Sequence, residues 1–554
     1  MGINWNHYYP MRLLTALATF SIALSAQTNN APTMAGNGNK PERMEWFRDI
    51  GFGLFIHWSV DSQLGSVISH SLPGASKDYR DRYFSELPKT FNPRKYNPTD
   101  WAALAKLAGI KYVVFTTKHH NGFTMYPSKT TEFGLQSTPF KRDINGELVA
   151  AFREQGIAPG YYFSPDDFLH LHKLNRKIQR NIPEVAPAAV PGLMDLDKAQ
   201  LRELLGNYGP IDVIFFDGPA EGLRELAWEM QPNIVVTRGA IATPEQYVPG
   251  SRIEGPWESC ITMGTQWQYK PTNDVYKSGT ELIGLLIETR AKGGNLLLNV
   301  GPKPDGELPI EQEERLREIA LWMFVNQEMV YGVRPWIVPS EKNGNETYWF
   351  TKKKDADVVY VAVRPNERWK YGEWKDILLR SVKLAPGGKV EVLGQNDEVL
   401  EYQPKVVPKT TWTQGADGLH VRAMRAQRLY NDRKWPNPVV LKITGAQAAF
   451  AAPEVSEAKW RWDAVKKVAV LEAELKNMSN QGALEVGFEY RSVKGLDLTE
   501  RAGNFTRTVL VRRTGTGRFT AEVPWKPGDV MEFRAVVRHP LLEAFSIEQR
   551  ADVK

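Results

Sequence analysis

Residues 112–123 read YVVFTTKHHNGF. An unbroken apolar run rich in β-branched and aromatic residues ends in a lysine, two histidines and an Asn-Gly turn. A strand apolar on both faces belongs to a parallel sheet covered by helices. The neighbours fit that reading. WAALAKLAG (101–109) before it is helix-like and ends in glycine, as does ELVAAFREQG (147–156) after it. Further strands follow at GFGLFIHW (51–58), APGYYFS (158–164), IDVIFFDG (211–218) and GNLLLNVGP (294–302), with helices near LRELLGNYG (201–209) and 313–328. Strand–helix alternation over about 290 residues predicts a (β/α)₈ TIM-like barrel at 43–338. No glycine-rich dinucleotide fingerprint or P-loop follows the first strand, which disfavours nucleotide folds.

The texture changes after residue 340. ETYWFTKK, VVYVAVRP, KVEVLG and LHVRAM alternate apolar and polar residues between turn formers, which predicts a β-sandwich at 339–446. A small-residue linker leads to a further immunoglobulin- or fibronectin-like β-sandwich at 447–554. Trp460, Trp462 and Trp525 in that module read equally as core or as ligand platforms. At the other end, Met11-Arg12 precedes LLTALATFSIALSAQ, a basic start, a short apolar run and small residues, as in a secretory signal peptide. Residues 1–26, with Met11 as a possible true start, are expected to be removed, and 27–42 to be a linker. The run is short for a membrane span. With a lone Cys260 no internal disulfide can form, and export to a periplasm or medium is the expectation.

Seventeen Trp and twenty Tyr suit a carbohydrate-handling protein, and a net charge of +6 without a basic block gives no footing for nucleic acid. In a barrel the chemistry sits at the C-terminal ends of the strands. There lie His57 and Trp58, His119 and His120, Tyr162, Asp217 and Asn299. Donors, acceptors and aromatics gathered at several strand ends make a polyol pocket, since neutral imidazoles both donate and accept. Asp217, at the rim of an apolar strand, reads as a nucleophile or general base. EGPWESCITMGTQWQY (254–269) offers a second acid: Glu258 lies 258 − 217 = 41 residues on, between Trp257 and Trp267, with Glu254 as the alternative. A carboxylic acid beside tryptophan has its pKa raised, which suits a general acid, and two such carboxylates are what a glycosidase uses. A metal-dependent hydrolase is the rival reading, prompted by the histidine pair and by HLH at 170–172. Its first strand would carry His-x-His, whereas here it ends in His57 alone.

GFGLFIHW, YVVFTTKHHNGF, TPFKRDINGELVAAFREQGIAPGYYFS, IDVIFFDG, WESCITMGTQWQY and GGNLLLNVGPKPDGELP occur in the order of the motifs of glycoside hydrolase family 29, the retaining α-L-fucosidases, and the chain resembles that family from about 43 to 335. The resemblance implies exo-acting release of terminal α-L-fucose, or a related L-sugar such as L-galactose, without cofactor or metal. It implies Asp217 as nucleophile and Glu258 as acid/base. His57, Trp58, His119, His120, Tyr162, Arg252 and Trp267 would bind the sugar, with Arg238 a further candidate. Three departures stand out. The family shows HWG where Ser59 follows Trp58, and KHHDGF where Asn121 replaces the acid. Its Glu-Trp pair after the first strand is replaced by SVISHSLPGASKDYRDRYF, in which His70 and Arg80 could substitute. These departures predict altered hydroxyl recognition, or a carbohydrate-binding member that does not catalyse.

Overall fold

The computed structural model describes residues 37–250, 253, 255–364, 369–429, 437–493, 505–526, 528 and 530–552. The leader-like stretch, Arg252 and Glu254 therefore lie outside the described residues. The first unit carries seven parallel strands: β1 (Phe52–Ile56), β2 (Tyr112–Lys118), β3 (Ala158–Phe163), β4 (Val213–Phe216), β5 (Val235–Val236), β6 (Glu258–Thr262) and β7 (Asn295–Val300). Their order is β5-β4-β3-β2-β1-β7-β6. The remaining gap, between β5 and β6, is spanned by residues 242–246. Isolated parallel bridges join Ala242 to Trp257 and Glu245 to Cys260, and Glu258 N–H donates to Ala242 O at 3.1 Å. The expected (β/α)₈-like barrel is thus present, with an irregular segment in its eighth place.

The sequence sets these elements locally. Every residue of β1, β2, β4, β6 and β7 is buried, because one face fills the barrel and the other meets the helices. Helices start where a side chain can accept a free backbone N–H. Asn97 caps the helix Pro98–Leu107, Asp143 caps the helix Ile144–Glu154 and Ser278 caps the helix Gly279–Ala291. Before the barrel, α1 (Pro41–Ile50) ends at Gly51, whose φ of 61° permits the abrupt turn into β1. Met44 and Phe47 of α1 join Phe55, Tyr112, Tyr162, Phe215, Cys260 and Leu297 in the barrel interior. That helix therefore stops the N-terminal end of the barrel, and the opposite end is left for chemistry.

Beyond the barrel, the strands between Val333 and Ala448 form a five-stranded and a three-stranded antiparallel sheet. Tyr360, Ala362 and Val440 of the larger sheet share a core cluster with the helix Ile310–Asn326, and Trp322 Nε1 donates to Pro438 O at 2.9 Å. Two more antiparallel sheets lie between Glu454 and Asp552. Trp460 and Trp525 pack on that module's core, and Phe450 stacks on His539 at 4.6 Å. No helix among the described residues is long and apolar enough to cross a membrane.

Candidate active site

Asp217 follows the last residue of β4, its N–H donating to Phe163 O at 3.0 Å. Among the described residues, Tyr162, His120, Arg180 and Arg238 hold its carboxylate. Tyr162 O–H donates to Oδ2 at 2.7 Å, and His120 Nε2 lies 3.2 Å from the same oxygen. Arg180 Nη2 and Arg238 Nη1 reach Oδ1 at 3.2 and 3.1 Å. Burial alone would push this acid up. Arg180, His120 and Arg238 outweigh burial and hold it well below the usual carboxylate range. Asp217 is therefore ionised at any working pH, in a position where its charge is poorly hydrated.

The histidine pair is brought together by a break in the strand. Pairing of β2 with β3 shifts register between Thr116 and Lys118, and Gly122 N–H closes a turn onto His119 O. Strict alternation would send adjacent side chains to opposite faces. Instead it is Lys118 that points away, its Nζ bonded to Asp197 at 2.7 Å in a wholly buried pair. His119 and His120 both turn to the site, their rings 4.1 Å apart, and His119 lies parallel to Tyr162 at 5.2 Å. His57 joins them. Asn299 gives its Nδ2–H to Trp267 O, so its Oδ1 accepts from His57 Nδ1 at 2.6 Å and His57 Nε2 keeps its lone pair. Burial lowers His57 to about 4 and His120 to about 3, so both are neutral acceptors or donors rather than charges. Trp267 lies over His57 with ring centres 4.8 Å apart.

Two sequence expectations are corrected. Trp58 is fully buried and packs on Phe91, Tyr96 and Trp101, among the shell helices. It follows His57 directly, and alternation that turns His57 inward turns Trp58 outward. Glu258 is the first residue of β6, in register with Asn295, the first residue of β7, while Thr262 is level with Asn299. Four residues of strand place it ~13 Å toward the barrel floor from the Asn299 layer. There Tyr112 O–H donates to it at 2.5 Å, beside Asn295 and α1. The acid that reads as lying between tryptophans is a floor residue, tied to Tyr112 rather than placed at the level of Asp217. Asn121, expected to alter the pocket, is also displaced from it: its amide is buried against Ser59 and Tyr83.

Arg180 and Asp166 are additions the sequence did not signal. Arg180 Nε bonds Asp166 Oδ2 at 3.2 Å, and Asp166 Oδ2 lies 3.5 Å from His120 Nδ1. Burial, reinforced by the charge of Asp217 and opposed by Arg180, raises Asp166 to about 6. The HLH histidines stand elsewhere, His170 on Pro191 O and His172 on Asp81. His119, His120 and Asp217 are close enough to chelate, but with Arg180 and Arg238 on the carboxylate a cation there would meet two positive charges.

A pocket of neutral imidazoles, a phenol and an indole around one ionised carboxylate has the chemistry to bind a polyol and to offer it a nucleophile. Comparison with known proteins agrees. The alpha-L-fucosidase family model matches residues 18–328. Tissue alpha-L-fucosidase of Mus musculus is 31% identical over 390 residues, covering 63% of this chain and 83% of that protein. Alpha-L-fucosidase isoenzyme 1 from Paenibacillus thiaminolyticus superposes with a TM-score of 0.58 at 28% identity, over 73% of this chain and 98% of that one. The Thermotoga maritima alpha-fucosidase solved with a mechanism-based inhibitor gives 0.57 at 26%, over 72% and 96%. On motif order, barrel and site together, this chain belongs to the alpha-L-fucosidase family.

Proposed function

We propose that the chain is an exo-acting retaining glycoside hydrolase that releases terminal α-L-fucose, or a closely related L-sugar, from glycans. The carrying observation is Asp217, a buried carboxylate kept ionised by Arg180, Arg238, His120 and Tyr162 at the open end of the barrel. In the first step Asp217 attacks the anomeric carbon as the glycosidic oxygen is protonated and leaves, giving a glycosyl-enzyme ester. In the second, water activated by the same acid, now a base, displaces Asp217. A carboxylate of low basicity is a good leaving group, so the guanidinium pair that holds its pKa down favours the second step. His57, His119 and Trp267 line the sugar's surroundings.

Glu258 lies too far down the barrel for the proton-donor role, and Glu245 is engaged by Arg238 at 3.1 Å. We assign the role to Glu254, the other acid of the same stretch. Azide separates the roles chemically. With an activated aryl fucoside, Glu254→Ala should yield fucosyl azide of retained configuration, and Asp217→Ala the inverted one. Rescue in Glu258→Ala and not in Glu254→Ala overturns this assignment. Inversion in the wild-type reaction, read by NMR of the first-formed anomer, overturns the double displacement.

Export to the periplasm or medium is part of the proposal, supported by the leader-like stretch after Met11. N-terminal sequencing of the exported protein tests it, with a start near residue 27 expected.

A further inference from the structure

Behind the pocket, Asn121 Nδ2 donates to Tyr83 Oη at 3.0 Å, and Tyr83 O–H donates to Asp61 Oδ2 at 2.8 Å. The same Asp61 oxygen accepts Ser69 N–H at 2.7 Å. Ser69 Oγ in turn accepts Asn121 N–H at 2.9 Å and is hydrogen-bonded to His119 Nδ1 at 2.7 Å. The second proton of Asn121 Nδ2 goes to Ser59 Oγ at 3.0 Å. Asp61, Ser59, Ser69 and Asn121 are all buried.

The direction of this circuit explains the two departures together. The group at 121 must donate twice, to Tyr83 and to Ser59, and a carboxylate cannot. An aspartate there would also set a second buried negative charge on the phenol that already serves Asp61. Ser59 is the matching acceptor that a glycine would lack. The substitutions at 59 and 121 are one interlocked device.

What the device holds is a strained loop. Ser69 has φ 61°, a left-handed conformation that favours glycine, and the circuit grips it by both N–H and Oγ. The next residue, His70, is thereby carried over the site. Its ring lies edge-on to His120 at 5.6 Å and to His119 at 6.3 Å. Among the described residues its ring nitrogens hold no hydrogen bond, and it is exposed at the mouth. Arg180 and Asp217 both act on it electrostatically.

Resting on the glycosidase reading above, we propose that His70 is a sugar-contacting, specificity-determining residue, positioned by the Ser59–Asn121–Tyr83–Asp61–Ser69 circuit. A neutral imidazole with both nitrogens unspent takes a ring hydroxyl of the bound L-sugar. The circuit also fixes the His119 ring through Nδ1, which leaves its Nε2 edge for the site.

The test is kinetic. His70→Ala, at an exposed position, should fold with unchanged Tm. It should raise KM for an aryl α-L-fucoside at least ten-fold with kcat within three-fold, and change the fucoside-to-L-galactoside ratio of kcat/KM at least five-fold. Asn121→Asp should raise KM in the same direction, and adding His70→Ala to it should cost less than the product of the single effects. KM and the substrate ratio within two-fold of wild type in a folded His70→Ala overturn the role of His70. Fully multiplicative effects in the double variant overturn the positioning. If the wild type neither turns over the fucoside nor binds L-fucose in calorimetry, the glycosidase reading itself has failed, and this role with it. Wild-type activity with an indifferent His70→Ala condemns His70 alone.

Discussion

The barrel holds two buried carboxylates near its axis, and their fates are opposite. Asp217, at the C-terminal end, is driven far below its ordinary range. Glu258, on the floor, is pushed up to about 7 by burial, with the hydrogen bond from Tyr112 only partly compensating. Burial acts on both in the same direction. The difference lies in what opposes burial: Arg180, His120 and Arg238 all act at contact distance on Asp217, whereas among the described residues no ion pair reaches Glu258 and Arg238 acts on it only through its charge. Within one barrel, charge placement keeps one acid ionised and leaves the other protonated until the pH approaches about 7.

The comparison can be broken in several ways. Asp217→Ala should lower kcat/KM on the order of 10⁴-fold or more while the fold persists. Wild-type turnover in that variant would end its assignment. Arg180→Gln should cost roughly 10²–10³-fold, the scale of a lost preorganised donor. It should also move the acidic limb of the kcat/KM profile to higher pH. The nucleophile must be ionised, so activity is lost as pH falls through its pKa, and removing Arg180 raises that pKa. A limb that stays in place would show that Arg180 does not set the charge of Asp217. Tyr162→Phe, deleting one donor to Oδ2, should cost about ten-fold, near the worth of a hydrogen bond to a charge. The smallest effect is expected at the floor. Glu258→Gln should leave kcat/KM within two-fold.

That floor variant carries a stability signature as well. A carboxyl whose folded pKa is raised above its unfolded value of 4.5 binds more protons folded than unfolded. Wild-type stability then falls as pH rises from about 4.5 toward 7. Glu258→Gln removes that dependence, so its Tm should exceed wild type by a few degrees at pH 8, the gap closing toward pH 5. A Tm below wild type at pH 8 would refute the picture of a floor acid whose pKa burial has raised.

Much of this was legible in the chain. Doubly apolar strands gave away the barrel, and strand-end chemistry located His57, the histidine pair, Tyr162 and Asp217. Trp58 and Glu258 misled for a shared reason. Motif proximity says nothing about which face of a strand a residue takes, or at which end of the strand it lies. Trp58 takes the face opposite His57, and Glu258 opens its strand rather than closing it. Arg180 left no mark because it comes from a stretch without periodicity, 17 residues after Phe163, and only the fold returns it to Asp217. Asn121 was visible as a departure, yet its partners Ser59 and Tyr83, 62 and 38 residues away, were not.

The seam between β5 and β6 has a consequence of its own. Six of the barrel's inter-strand junctions are continuous ladders, whereas this one rests on two isolated bridges. A ladder fixes the length of whatever connects its strands, because a one-residue slip would turn every side chain to the wrong face. Where pairing is interrupted in this way, the length of the connection is less tightly fixed. The barrel thus holds Asp217, the proposed nucleophile, at the end of a laddered strand, while the proposed proton donor belongs in sequence to the connection across this seam. Diversification toward new leaving groups can proceed at the seam while the sugar pocket stays as it is.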